Sequence, residues 1–156
     1  MRTLSFAWQE NASLAAELAA GIDGLYVRTA QHGAPVSVTL WKGEHSGLEV
    51  RSKMHDIGRR LEVGVLEFTK AQTIRINDAR IDIGKSFSEH LKVRKLLIAE
   101  LDVTAECGIV LENSRGEQIV IVAGANPYTL SICAPSLGSE FQPEYPLDRY
   151  RHVLMA

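Results

Sequence analysis

His55 and Asp56 adjoin in the stretch "SKMHDIGRR", and an imidazole beside a carboxylate is a pairing from which a divalent metal site can be built. Such a site needs further ligands within reach. The five histidines are His32, His45, His55, His90 and His152, and no two stand three or four residues apart, the spacing that sets two imidazoles on one helix face. His45 and His55 flank one expected strand, whose length keeps them apart. Asp56 also precedes Gly58 by two residues, the chemistry of a turn in which the carboxylate accepts from a turn amide and the glycine takes positive φ. The pair therefore reads as the end of a strand and the start of a turn, with neither metal nor cofactor expected.

Gly84-Lys85-Ser86 in "IDIGKSF" matches the last three residues of a phosphate-binding loop. That loop also needs a glycine five positions before Gly84 so that its amides can curl round phosphate, and the position holds Ala79, with a strand-like "RIDI" between. No GxSxG stretch occurs, and no cysteine adjoins a histidine. Cys107 and Cys133 lie in apolar strand-like runs and are expected as buried free thiols, with pKa raised rather than lowered. Glu106, Glu112, Glu117, Glu140 and Glu144 are dispersed like solvated charges. No catalytic residue is assigned; an enzymatic alternative would draw on His55, Asp56 or Glu106.

Basic and aromatic residues give a different lead. Arg51, Lys53 and His55 alternate along one strand face, Arg59 and Arg60 open the next strand, and Lys92, Arg94 and Lys95 cluster later. Glu49 and Glu62 interrupt this stripe, no aromatic residues are interleaved with it, and the chain carries a formal net charge of -2, so nucleic acid is not an expected partner. Charges on a strand face also discourage edge-to-edge pairing. Trp41 ends a strand, Tyr128 follows "GANP", and Tyr145 and Tyr150 lie in the tail, residue types that anchor protein interfaces or close a domain's own rim. Trp41, Arg51, Lys53, His55, Arg59, Arg60, Tyr128 and Tyr145 form the candidate interaction surface.

These residues need a scaffold, and 156 residues with 46% hydrophobic and 23% charged content suit one globular domain, 1–156. No apolar run reaches membrane-spanning length and no signal-like apolar stretch opens the chain, so a cytoplasmic location is expected. "NASLAAELAAGIDG" predicts a helix capped by Asn11 or Ser13, with Leu14 and Leu18 on one face and Gly21 or Gly24 at its end. "LYVRTA" and "PVSVTLW" predict a hairpin across "QHGAP", with Ser37 and Thr39 on its polar face. "GLEVRSKM" and "RLEVGVLEF" predict two more strands, the second with a bulge at Gly64 where the buried phase changes. "TIRINDARIDIG" reads as a hairpin pairing Ile74 and Ile76 with Ile81 and Ile83. Residues 87–101 fit helix or strand; the capping-box pattern of Ser86 and Glu89 favours helix. "CGIVLENSRGEQIVIVAG" is a hairpin with "NSRG" as its turn, "PYTLSICA" is a further strand, and residues 135–156 form an extended strap whose rings dock on the body.

The expected fold is thus α+β and β-rich: an N-terminal helix packed on an antiparallel meander of about seven or eight strands, curled or two-layered. The expected function, reached by subtraction, is that of a non-enzymatic protein-binding domain, such as an immunity or antitoxin-type partner or a homodimer-forming module. The alternative is a small enzyme or ligand-binding β-barrel with a pocket between helix and sheet.

Overall fold

The computed structural model describes residues 2–137 and 141–155. In chain order the elements are β1 (Arg2–Leu4), α1 (Leu14–Ala19), β2 (Gly24–Thr29), β3 (Pro35–Lys42), β4 (Ser46–Gly58), β5 (Leu61–Ala71), β6 (Ala79–Ile81), β7 (Lys92–Glu100), β8 (Val103–Glu112), β9 (Gln118–Ala123), β10 (Leu130–Cys133), a 3₁₀ turn (Leu147–Arg149) and β11 (Arg151–Leu154). The fold is α+β, with one short helix and two sheets that are antiparallel apart from the β1–β8 pairing. One sheet runs β5-β4-β3-β2-β6, and the other runs β10-β9-β8-β7-β11 with β1 added beside β8.

The local chemistry explains most of these elements. Ser13 Oγ accepts from Ala16 N at 3.2 Å and caps α1, whose Leu14 and Leu18 are buried. In the β8–β9 turn, Asn113 Oδ1 accepts from the amides of Arg115 and Glu117, each at 3.0 Å. The largest apolar cluster joins the sheets, with Leu25, Val38, Leu40, Val50, Leu66 and Phe68 from one and Val93, Ile109, Leu111, Ile119, Ile121 and Leu130 from the other. A second cluster on the far side of β7–β9 includes Leu96, Ile98, Val110 and Val122, and Phe141, Tyr145 and Tyr150 of the tail pack on it.

Several expectations fail for one reason: strands here are covered on both faces, which erases the alternation a half-solvated strand would show. Residues 92–100 form β7 rather than a helix, because Val93 serves the inter-sheet cluster while Leu96 and Ile98 serve the other. Ser86 does not cap a helix; its Oγ accepts from Asn113 Nδ2 at 2.8 Å. Gly64 makes no bulge, since β4 and β5 stay in register from Gly47↔Ala71 to Asp56↔Glu62 and shift only at the turn. The phase change has another cause: Val63 and Val65 pack with Val103 and Ala105, while Leu66 and Phe68 enter the inter-sheet cluster.

The Ile74–Ile83 hairpin is also absent. Ile76 is 98% exposed, and β6 pairs with β2 instead, Leu25 opposite Ile81. Asp78 holds the preceding turn by accepting from Arg75 N at 3.3 Å and Arg28 Nε at 3.0 Å. Ser37 and Thr39 are buried on the face expected to be wet, and Cys133, expected inside, is exposed on the edge strand β10. The strand count exceeds seven or eight because the short pieces β1, β6 and β11 carry too few residues for a readable period. Glu140 lies outside the described residues.

Candidate functional site

The two sheets are joined at one seam and parted at the other. At the joined seam, β1 runs parallel to β8, Arg2 opposite Val103, and Ala7 then bridges to β5 by donating to Leu66 O at 3.1 Å and accepting from Phe68 N at 2.8 Å. Phe6 N donates to Glu106 Oε1 at 2.8 Å, and Lys95 Nζ donates to Glu106 Oε2 at 2.5 Å. Glu106 is buried, and both of its oxygens are committed to this seam, so its chemistry is that of a structural tether.

At the other edge of the β5–β6 sheet lies a cleft of about 700 Å³. Its walls come from β2 and β6 on one side and β10 with its flanking loops on the other: Val27, Ile81, Leu130, Ile132 and Leu137 supply the apolar surface. Thr29, His32, Asn126, Ser131 and Gln142 add polar groups. Ser131 Oγ accepts from Gln142 N at 2.7 Å and so ties the tail to this wall. The side-chain amides of Asn126 and Gln142 have no intramolecular hydrogen bond among the described residues. Among the described residues lining the cleft, His32 is the single titratable one, and its Nδ1 accepts from Ala34 N at 3.4 Å. The cleft thus offers an apolar body with neutral hydrogen-bonding groups, and it lies between the sheets rather than between helix and sheet. A second concavity, of about 270 Å³, does adjoin α1, and two of its lining residues, Lys70 and Glu17, pair at 3.6 Å.

The interaction residues expected from sequence divide into one group and three outliers. Arg51, Lys53 and His55 share a face of β4, and Arg59 and Arg60 form the β4–β5 tip. Arg51 Nε donates to Glu49 Oε1 at 2.8 Å, which partly neutralises it. Burial lowers the His55 pKa below its ordinary value, and the charges of Lys53 and Arg2 lower it further, so Arg2 belongs to the same basic surface. Asp56 Oδ1 accepts from Gly58 N at 2.8 Å and Gly58 has φ of 98°, but both residues still belong to β4, with Asp56 opposite Glu62 and Gly58 opposite Leu61, so the turn expected at Asp56–Gly58 falls instead on Arg59 and Arg60, which were expected to open the next strand. Arg59 and Arg60 follow at φ of 53° and 61°.

Trp41 lies opposite Gly47, at the far end of β4 from that tip. Twelve strand steps from Ser46 to Gly58 at about 3.3 Å each separate the two ends by roughly 40 Å. Tyr128 is exposed beside the cleft residues Pro127 and Thr129. Tyr145 is half-buried, its ring 6.5 Å from that of Tyr150 and 4.8 Å from the Arg149 guanidinium, and burial with the nearby Glu144 charge pushes its hydroxyl up to about 12. The eight residues do not converge on one patch.

Other reactive groups have structural partners or surroundings. Gly84 N donates to Asp82 Oδ1 at 2.9 Å, which fixes a turn where a phosphate loop would need free amides. Burial pushes the Cys107 thiol up to about 12. Among the described residues, no three His, Cys, Asp or Glu side chains are grouped closely enough to hold a metal ion. No helix is long and apolar enough to cross a membrane among them.

Sequence reasoning missed the cleft because its lining comes from segments around 27–35, 79–81 and 125–132 together with Leu137 and Gln142, none of which carries a motif. The only local signal was the paired turns "QHGAP" and "GANP", which both border it. Comparison with protein-family models, with curated proteins and with solved structures finds no match to this chain.

Proposed function

We propose that the protein is a binding module whose ligand is a small, neutral, amphipathic molecule held in the cleft between β2–β6 and β10. The observation that carries this reading is the cleft itself: about 700 Å³ lies within the range of small-molecule sites. At roughly 30 Å³ for each water-sized group, it accommodates about twenty non-hydrogen atoms. Its lining selects the charge. A charged ligand would lose its hydration without gaining an opposite charge from the residues named above, whereas an apolar body with one or two hydrogen-bonding groups meets Val27, Ile81, Leu130 and Ile132 on one hand and the Asn126 and Gln142 amides on the other. Among the described lining residues there is one histidine and no carboxylate or cysteine, and the Ser131 hydroxyl is engaged by Gln142 N, which supports binding over turnover.

Native mass spectrometry of protein purified from its own host tests this. The expected result is a non-covalent adduct of a neutral compound that is lost on denaturation. A purified protein free of any small molecule, recovered instead in stoichiometric complex with another protein, would overturn the proposal in favour of a protein-binding domain of the immunity or antitoxin type.

A further inference from the structure

The distal half of β4 has an open edge. Strand β3 pairs with β4 only from Ser46 to Val50, and beyond that point residues 51–58 are paired with β5 on one side and with no backbone on the other, among the described residues. The open side presents unpaired N–H and C=O groups at every second residue, the template on which another extended chain adds as a strand. The side chains qualify which chain is welcome. Arg51, Lys53 and His55 recur at every second position on one face, and Arg59 and Arg60 extend the positive charge past the end of the strand. On the other face, Ser52 is buried and Met54 half-buried. A second copy of this strand would set cations against cations, which opposes self-pairing.

We propose that residues 51–58 of β4 dock an extended segment of a partner protein that carries acidic residues at alternate positions, as an added antiparallel strand. Backbone pairing at the edge supplies affinity, and carboxylates opposite the Arg51 and Lys53 cations, with a third opposite the His55 imidazole as a hydrogen-bond acceptor, supply register and selectivity. Nucleic acid satisfies the charge but has no peptide groups to pair with the open edge. The arginines of the tip fit the same occupant. Both are exposed and have no ion-pair partner among the described residues, and both are held in the left-handed conformation that a two-residue hairpin loop favours.

The probe is the hexapeptide acetyl-Glu-Thr-Glu-Val-Glu-Thr-amide, titrated into the full chain at low salt and followed by amide NMR. The expected result is a set of shift changes confined to residues 51–60 and Arg2, slowed amide exchange within 51–58, and at least tenfold weaker binding for Lys53→Glu, whose exposed position leaves folding intact. Three results would overturn the proposal: binding of the Lys-for-Glu peptide with equal affinity, shift changes centred on another surface, or a single-stranded RNA decamer that slows exchange of the same amides as the peptide does.

Discussion

Replacing Gly64 by alanine examines how closely β5 approaches its neighbours. A Cβ added at this position would lie 2.6 Å from Ala123 Cβ on β9 and 2.7 Å from Ser52 Oγ on β4, closer than real Cβ contacts allow. Something must shift by several tenths of an ångström: Ser52 Oγ can turn about χ1, but Ala123 Cβ is fixed to its backbone and cannot swing away. Overpacking of this kind costs about 1–3 kcal/mol. For a chain of this size that corresponds to roughly a 2–12 °C fall in Tm. Urea unfolding followed by circular dichroism and tryptophan fluorescence gives the free energy. Ala123→Gly in the same background removes one of the two clashes, so the double variant should recover part of the loss beyond additivity. A Gly64→Ala variant within about 0.5 kcal/mol of wild type, or a double variant with no coupling, would refute the steric reading.

Three further outcomes follow from named groups. Arg59→Asn with Arg60→Gly installs the pair that suits two consecutive left-handed residues, and should raise stability by about 1 kcal/mol in thermal unfolding; a loss of stability would mean the arginines contribute contacts that hold the tip. With Ellman's reagent, the native chain should release one equivalent of thiol rapidly from exposed Cys133, and Cys107, buried and pushed up to about 12, should react only on unfolding; two fast equivalents would contradict that. Burial raises the Glu144 carboxyl above its ordinary 4.5, outweighing the bond it accepts from Gly64 N, so the folded chain holds this proton more tightly than the unfolded one. Its contribution is therefore fully present below about pH 4.5 and is lost as pH rises through the folded value. Glu144→Gln should be more stable than wild type at pH 7, with the advantage disappearing below pH 4.5 in urea titrations at several pH values; an advantage independent of pH would refute it.

The readable parts of the sequence were those whose information is local. Ser13 caps its helix, Asp56 holds the positive-φ Gly58 at the end of β4, and Asn113 organises the β8–β9 hairpin, each through contacts within four residues. The β7 strand was obscured because Leu96 and Ile98 answer to the tail while Val93 answers to the facing sheet, and a strand with two buried faces has no alternation to detect. The basic series on β4 was visible, but the open edge that gives it meaning depends on where β3 stops pairing. Glu106 looked like one more solvated carboxylate until Phe6 N and Lys95 were found on its two oxygens. The cleft is less local still. It exists because β6 and β10 face each other across an unclosed seam, and pattern reading detects strands rather than the spaces between sheets.

The cleft's role is measured most directly by titrating the protein with N-phenyl-1-naphthylamine, a neutral apolar amine of suitable size, and comparing wild type with Ala79→Trp. Ala79 is an exposed lining residue on the short edge strand β6, so an indole there obstructs the cleft while leaving the core intact. Wild type should bind with saturable fluorescence enhancement, and the variant, with an unchanged Tm, should lose at least tenfold in affinity. No saturable binding by wild type, or equal binding by both proteins, would contradict a ligand site in the cleft.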